Sequence, residues 1–201
     1  MRLAVGDRRT VGAADAVADE LAAEPVRSGE LVILLFDLDR GVRMRAADAL
    51  EKASALAPEL LRDHEQRLIV CAEDAADPEL KWHLARMLPR LALEPHDRAA
   101  ALDIVHGWLA DDSVVVRVEA LDAFAALAAG DPALAAEVQR RLDEALASGR
   151  PAEKARARQI LRTRTAPAPA GHGQGGHGQG GRDRTGRTRA GRVPAEPAAA
   201  R

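Results

Sequence analysis

The sequence has no tyrosine and little else that is aromatic: two phenylalanines and two tryptophans, 2% of 201 residues. A large β-sandwich draws on many aromatic and β-branched side chains, so that fold class is excluded. A single cysteine, Cys71, excludes an internal disulfide framework and a cysteine-based zinc site. Lysine is scarce too: Lys52, Lys81 and Lys154 are the only three, and the other 26 basic residues are arginine. Long apolar runs are missing. The richest window, Leu31-Val-Ile-Leu-Leu-Phe36, covers six residues and is far short of a membrane span. The first residues reach Asp7 too soon for a signal-peptide core, so a cytoplasmic location and no membrane partner are expected.

What the sequence does have is alanine and charge. Alanine fills 44 positions, apolar residues make up 47% and charged residues 30%, the balance of a soluble globular domain with a sizeable core. The net charge of −2 hides two unlike parts. Residues 163–201 hold seven arginines against one Asp and one Glu, a net of +5, whereas residues 1–162 carry a net of −7. The spacer Ala166-Pro-Ala-Pro-Ala170 leads into a twice-repeated Gly/His/Gln unit and then an Arg/Gly stretch. With no apolar surface to offset chain entropy, residues 164–201 are expected to form a disordered basic tail.

The rest has helical periodicity nearly throughout. Pro58, Pro78, Pro95, Pro132 and Pro151 each open a helical pattern, four of them with an early acid (Glu59, Glu79, Asp97, Glu153). Proline at the first position loses no hydrogen bond, and early acids complement the helix dipole. Asp77 and Asp131 stand where N-caps belong. Nine helices are predicted, over 13–24, 28–37, 41–55, 58–73, 79–91, 95–109, 114–128, 131–147 and 151–163. Pro89, inside one of these spans, should kink or shorten it.

An internal repeat emerges from these spans. Val42-Arg43-x-x-Ala46-x-x-x-Leu50, Leu80-Lys81-x-x-Leu84-x-x-x-Leu88 and Val116-Arg117-x-x-Ala120-x-x-x-Phe124 align in one frame. Glu153-Lys154-x-x-Ala157-x-x-x-Leu161 follows with Glu at the apolar position. The basic residue recurs at spacings of 38, 36 and 37. An Asp precedes it in three units (Asp39, Asp77, Asp112), and Gly149-Arg150-Pro151 replaces it in the fourth. This pattern resembles HEAT repeats, the helical-hairpin family related to armadillo repeats. The resemblance covers about residues 28–163, with 1–27 supplying an N-terminal segment and its capping helix. It implies an all-α fold, a right-handed α-solenoid of about four hairpins followed by the tail. It also implies that the turn Asp and the basic residue bond within and between repeats as a ladder.

Little in the chain suggests catalysis. There is no phosphate-cradling Gly loop within the helical part, no His-x-x-x-His and no Gly-x-Ser-x-Gly. Cys71 stands on an apolar helix face, where an inert buried thiol is expected. His83 could act as a base beside Glu119 or Asp122, but an exposed ridge histidine is the simpler expectation. His64, His96 and His106 have no evident partners. His172 and His177 would need two further ligands to hold zinc, so no metal and no cofactor are expected.

Binding is better supported. In a HEAT-like stack the second helices line the concave side, and the repeat frame gives their exposed rows: Met44/Trp82/Val118/Ala155, Arg45/His83/Glu119/Arg156 and Asp48/Arg86/Asp122/Gln159. Partly exposed Trp and Arg are over-represented at interface hot spots. The candidate partner-binding residues are therefore Arg45, Trp82, His83, Arg86, Glu119 and Asp122, with Trp82 either in this groove or in the core. Arg43, Lys81 and Arg117 could form a phosphate track, but pairing of each with its own turn Asp is expected instead. The expected function is a non-catalytic protein-binding scaffold. The alternatives are nucleic-acid binding through the basic tail, weak and salt-sensitive, or an accessory subunit of an enzyme.

Overall fold

A computed structural model describes residues 27–165. Among them are eight α-helices and no strand: α1 (Ser28–Leu34), α2 (Arg40–Leu56), α3 (Glu65–Glu73), α4 (Pro78–Met87), α5 (Pro95–Trp108), α6 (Val114–Leu127), α7 (Pro132–Ser148) and α8 (Pro151–Thr165). The expected helix over 13–24 and the sequence from 166 onward, including His172 and His177, lie outside the described residues.

The start signals work as their chemistry requires. Pro78, Pro95, Pro132 and Pro151 each occupy the first residue of a helix. Asp131 accepts the Ala133 N–H at 3.0 Å, and Asp39 accepts those of Gly41 and Val42 at 2.6 and 3.3 Å. Asp77 is different. It stands at the N-cap position of α4, but its carboxylate makes no cap hydrogen bond because it is turned toward two arginines of α2. Beyond α6, Gly130 takes φ 78°, the left-handed conformation that ends many helices.

Two predicted spans are broken. The span 58–73 begins as a short 3₁₀ turn over Pro58–Leu61, and α3 starts only at Glu65. Between them Asp63 adopts φ 66°, which a short polar side chain tolerates and which redirects the chain. The span 79–91 stops at Met87, and Leu88–Arg90 forms a second 3₁₀ turn. Pro89 has no N–H to continue the helical ladder, and its ring crowds the preceding turn.

The helices pack in pairs, α1 on α2, α3 on α4, α5 on α6 and α7 on α8. The second members also pack on one another in sequence, α2 on α4, α4 on α6 and α6 on α8. The predicted stripe residues Ala46, Leu50, Ala53, Leu80, Leu84, Leu88, Val116, Ala120, Phe124 and Ala157 are buried in this core. Small residues such as Ala46, Ala49, Ala85 and Ala123 are buried among them. Each fully buried leucine contributes about 1.5–3 kcal/mol relative to exposure. No helix among the described residues is long and apolar enough to cross a membrane.

Candidate interaction face

The basic residues of the repeat frame begin the site, because they tie successive helix pairs together. Arg43 of α2 forms an ion pair with Asp77, at the start of α4. Lys81 of α4 reaches Asp111, before α6, at 2.7 Å. Arg117 of α6 reaches Glu153 of α8 at 2.9 Å. Arg43 also donates to the carbonyls of Asp37 and Leu38, and Arg117 to those of Asp111 and Asp112. Each arginine thus holds its own preceding turn by backbone oxygens and the next pair by a carboxylate. This corrects the expectation that each base pairs with its own turn Asp. Asp39 is occupied in capping α2, Asp77 is taken from the α2 side, and Asp112 offers Arg117 only its carbonyl. All three cations of the alternative phosphate track have carboxylate partners. Glu153, out of pattern in the sequence, is the fourth unit's contribution to the same series. Its carboxyl is held below the usual range by the Arg117 hydrogen bond, with burial opposing.

A second network joins α2, α4, α6 and α8, with Arg90 of the Leu88–Arg90 turn. Glu51 accepts from Arg90 at 2.8 Å and lies 3.6 Å from Arg86. Arg86 donates two parallel hydrogen bonds to Glu119, at 2.9 and 3.0 Å. Arg156 lies 3.5 Å from Glu119 and 3.4 Å from Asp122. These groups line an open pocket of about 350 Å³ together with Ala85, Pro89, Ala123 and Ala126. The guanidinium of Arg86 also lies over the Trp82 ring, 5.0 Å from its centroid, and Trp82 stacks on His83 at 3.6 Å.

The six candidate residues do not form one exposed surface. Trp82, Arg86 and Asp122 keep solvent access, and Trp82 both packs on the core and remains partly open. Arg45, His83 and Glu119 are buried, at 7%, 2% and 6% exposure. The repeat frame had set these three residues toward solvent; the structure buries them instead. The bonds join Trp82, His83, Arg86 and Glu119 directly, and Asp122 through Arg156. Arg45 stands apart. Its guanidinium lies beside Gly41, and its Nε has no hydrogen-bond partner. His83 is equally isolated at Nδ1, with Glu51 3.9 Å away. Burial, then the Arg86 and Lys52 charges, push its pKa down to about 3, so the ring is neutral near pH 7.

Glu51, Arg90 and Arg156 are the charged pocket residues the candidate set lacks. Arg156 was visible in the repeat frame. Glu51 falls between stripe positions Leu50 and Ala53, and Arg90 reaches it only because the chain turns at Pro89. Elsewhere, His64 bonds Ser28 Oγ at 3.1 Å, and His106 contacts Glu137 at 3.2 Å and Arg141 at 2.6 Å, so these two do have partners. Trp108 is buried. Cys71 is buried, and desolvation followed by the Asp74 charge raises its thiol pKa to about 11. Among the described residues no group of three or more His, Cys, Asp or Glu could hold a metal ion. No protein-family model, curated protein or solved structure matches the chain.

Proposed function

We propose that the protein is a non-catalytic scaffold, a short right-handed HEAT-like solenoid that holds a segment of a protein partner on its concave side, the face built by α2, α4, α6 and α8. The observation that carries this reading is the partly exposed Trp82 under the guanidinium of Arg86, which itself lines a pocket whose charges are already paired. Arg86 is fixed by Glu119 and Glu51, so little side-chain freedom is left to lose on binding. Trp82 offers a large apolar ring beside that fixed charge, the combination that dominates many protein interfaces. The interlocked ion pairs between successive helix pairs support the same reading, since they keep the face rigid across its length.

The test is affinity capture from the native cell extract with the full chain and with Trp82→Ala and Arg86→Ala. A protein retained by the wild type and lost with both variants, while circular dichroism at 222 nm is unchanged, supports the reading. Retention by both variants overturns it.

A further inference from the structure

The charge boundary of the molecule falls inside its folded part. From Arg150 to the end of the chain there are 12 basic and 3 acidic residues, a net of +9; residues 1–149 carry a net of −11. The last helix, α8, thus has the electrostatic character of the sequence that follows it. Its one carboxylate, Glu153, is turned to Arg117 of α6, and Arg156 is turned to Glu119 and Asp122. Lys154, Arg158 and Arg162 recur every fourth residue of α8 at steps of about 6 Å, and Arg150, four residues before Lys154, immediately precedes the helix. Arg150, Arg158 and Arg162 are exposed.

Helix stability accounts for only part of this row. Cations favour the C-terminal turn of a helix and are unfavourable at its N-terminus. Arg162 and Arg164 suit the first rule, and Lys154 donates to the Ala147 carbonyl near the end of α7 at 3.2 Å, but Arg150 stands at the wrong end and Arg158 in mid-helix. We infer that the outer side of α8, centred on Arg150 and Arg158, is a folded docking surface for the phosphate backbone of a nucleic acid, continuous in sequence with the Arg/Gly segment. Phosphates fit the repeated guanidinium groups, which bind them by paired hydrogen bonds as well as by charge. A lipid surface fits less well. None of the large exposed apolar side chains, Ile33, Phe36, Leu38, Leu56, Val70 and Val115, is on α8, so the helix has nothing to insert between acyl chains.

The experiment uses the full chain and a fluorescein-labelled 20-nucleotide oligo(dT), with anisotropy read across a salt series. Two double variants are compared with the wild type: Arg150→Gln/Arg158→Gln on α8, and Arg184→Gln/Arg187→Gln in the following segment. The α8 pair should weaken binding roughly tenfold at 100 mM salt and reduce the salt slope by about 1.4, two phosphate contacts at about 0.7 each. Thermal melts of the α8 variant should match the wild type. Binding unchanged by the α8 pair, whatever the other pair does, overturns the inference. So does competition by poly-glutamate as strong as by unlabelled oligo(dT), because the surface would then recognise any polyanion.

Discussion

Buried neutral His83 makes the fold sensitive to mild acid. In the unfolded chain its imidazole titrates near 6.5, whereas in the folded protein its pKa lies at about 3. Between those values the unfolded state binds one more proton than the native state. Stability then rises with pH across the window and is lost as pH falls below about 6.5, by about 1.4 kcal/mol per pH unit. By pH 4.5 the loss approaches about 2–3 kcal/mol, a large part of a domain's net stability. Of the charged groups near the ring, Arg86 and Lys52 oppose protonation, and Glu51 at 3.9 Å would moderate the loss. Urea unfolding followed at 222 nm, at constant ionic strength from pH 7.5 to 4.5, measures the slope. His83→Gln should flatten the curve down to the carboxylate range. A wild-type curve flat between pH 6.5 and 4.5, with the His83 ring titrating near 6.5 by NMR, would refute burial of the Arg45/His83/Glu119 row.

Three further outcomes are expected. Arg117→Ala removes a two-pronged pair with Glu153 and two bonds to turn carbonyls. After discounting for partial exposure it should cost about 2–3 kcal/mol, and a double-mutant cycle with Glu153→Ala should show about 1 kcal/mol of coupling; strict additivity would mean the pair does not join α6 to α8. Gly149→Ala would place a Cβ 2.4 Å from the Ala145 carbonyl oxygen, so the α7–α8 corner must shift, with an expected loss of at least 1 kcal/mol by thermal melt. Trp82→Ala should lower Tm by a few degrees, since the ring packs partly on the core, but much less than Leu84→Ala, whose side chain is fully buried.

Much of the helical layout was legible in the sequence because it rests on local chemistry. Proline at first helical positions, Asp39 and Asp131 as caps and the apolar stripe all act within one or two turns of chain. The misses come from competition between partners distant in sequence. Asp77 has the sequence of an N-cap, but an ion pair to Arg43, 34 residues away, takes its carboxylate. Glu153 breaks the apolar pattern of its unit and is the residue that receives Arg117. The span from Pro58 failed for a different reason: the backbone turns at Asp63, and no pattern of apolar residues reports a left-handed φ. In the candidate site, the row containing Trp82 and the row containing Arg86 were placed correctly enough to leave both accessible. The intervening row was set toward solvent by the repeat frame, whereas three of its four members, Arg45, His83 and Glu119, are buried and only Arg156 stays partly exposed.

Where a captured partner touches the molecule is the most direct question about the proposed scaffold. A photo-crosslinking amino acid placed at Ala126, exposed on the pocket rim, is compared with one at Asp103, exposed on α5. Crosslinks to the same protein from position 126 and none from 103 are the expected result. Crosslinks from 103 alone would place the partner away from the face of α2, α4, α6 and α8 and contradict the proposal.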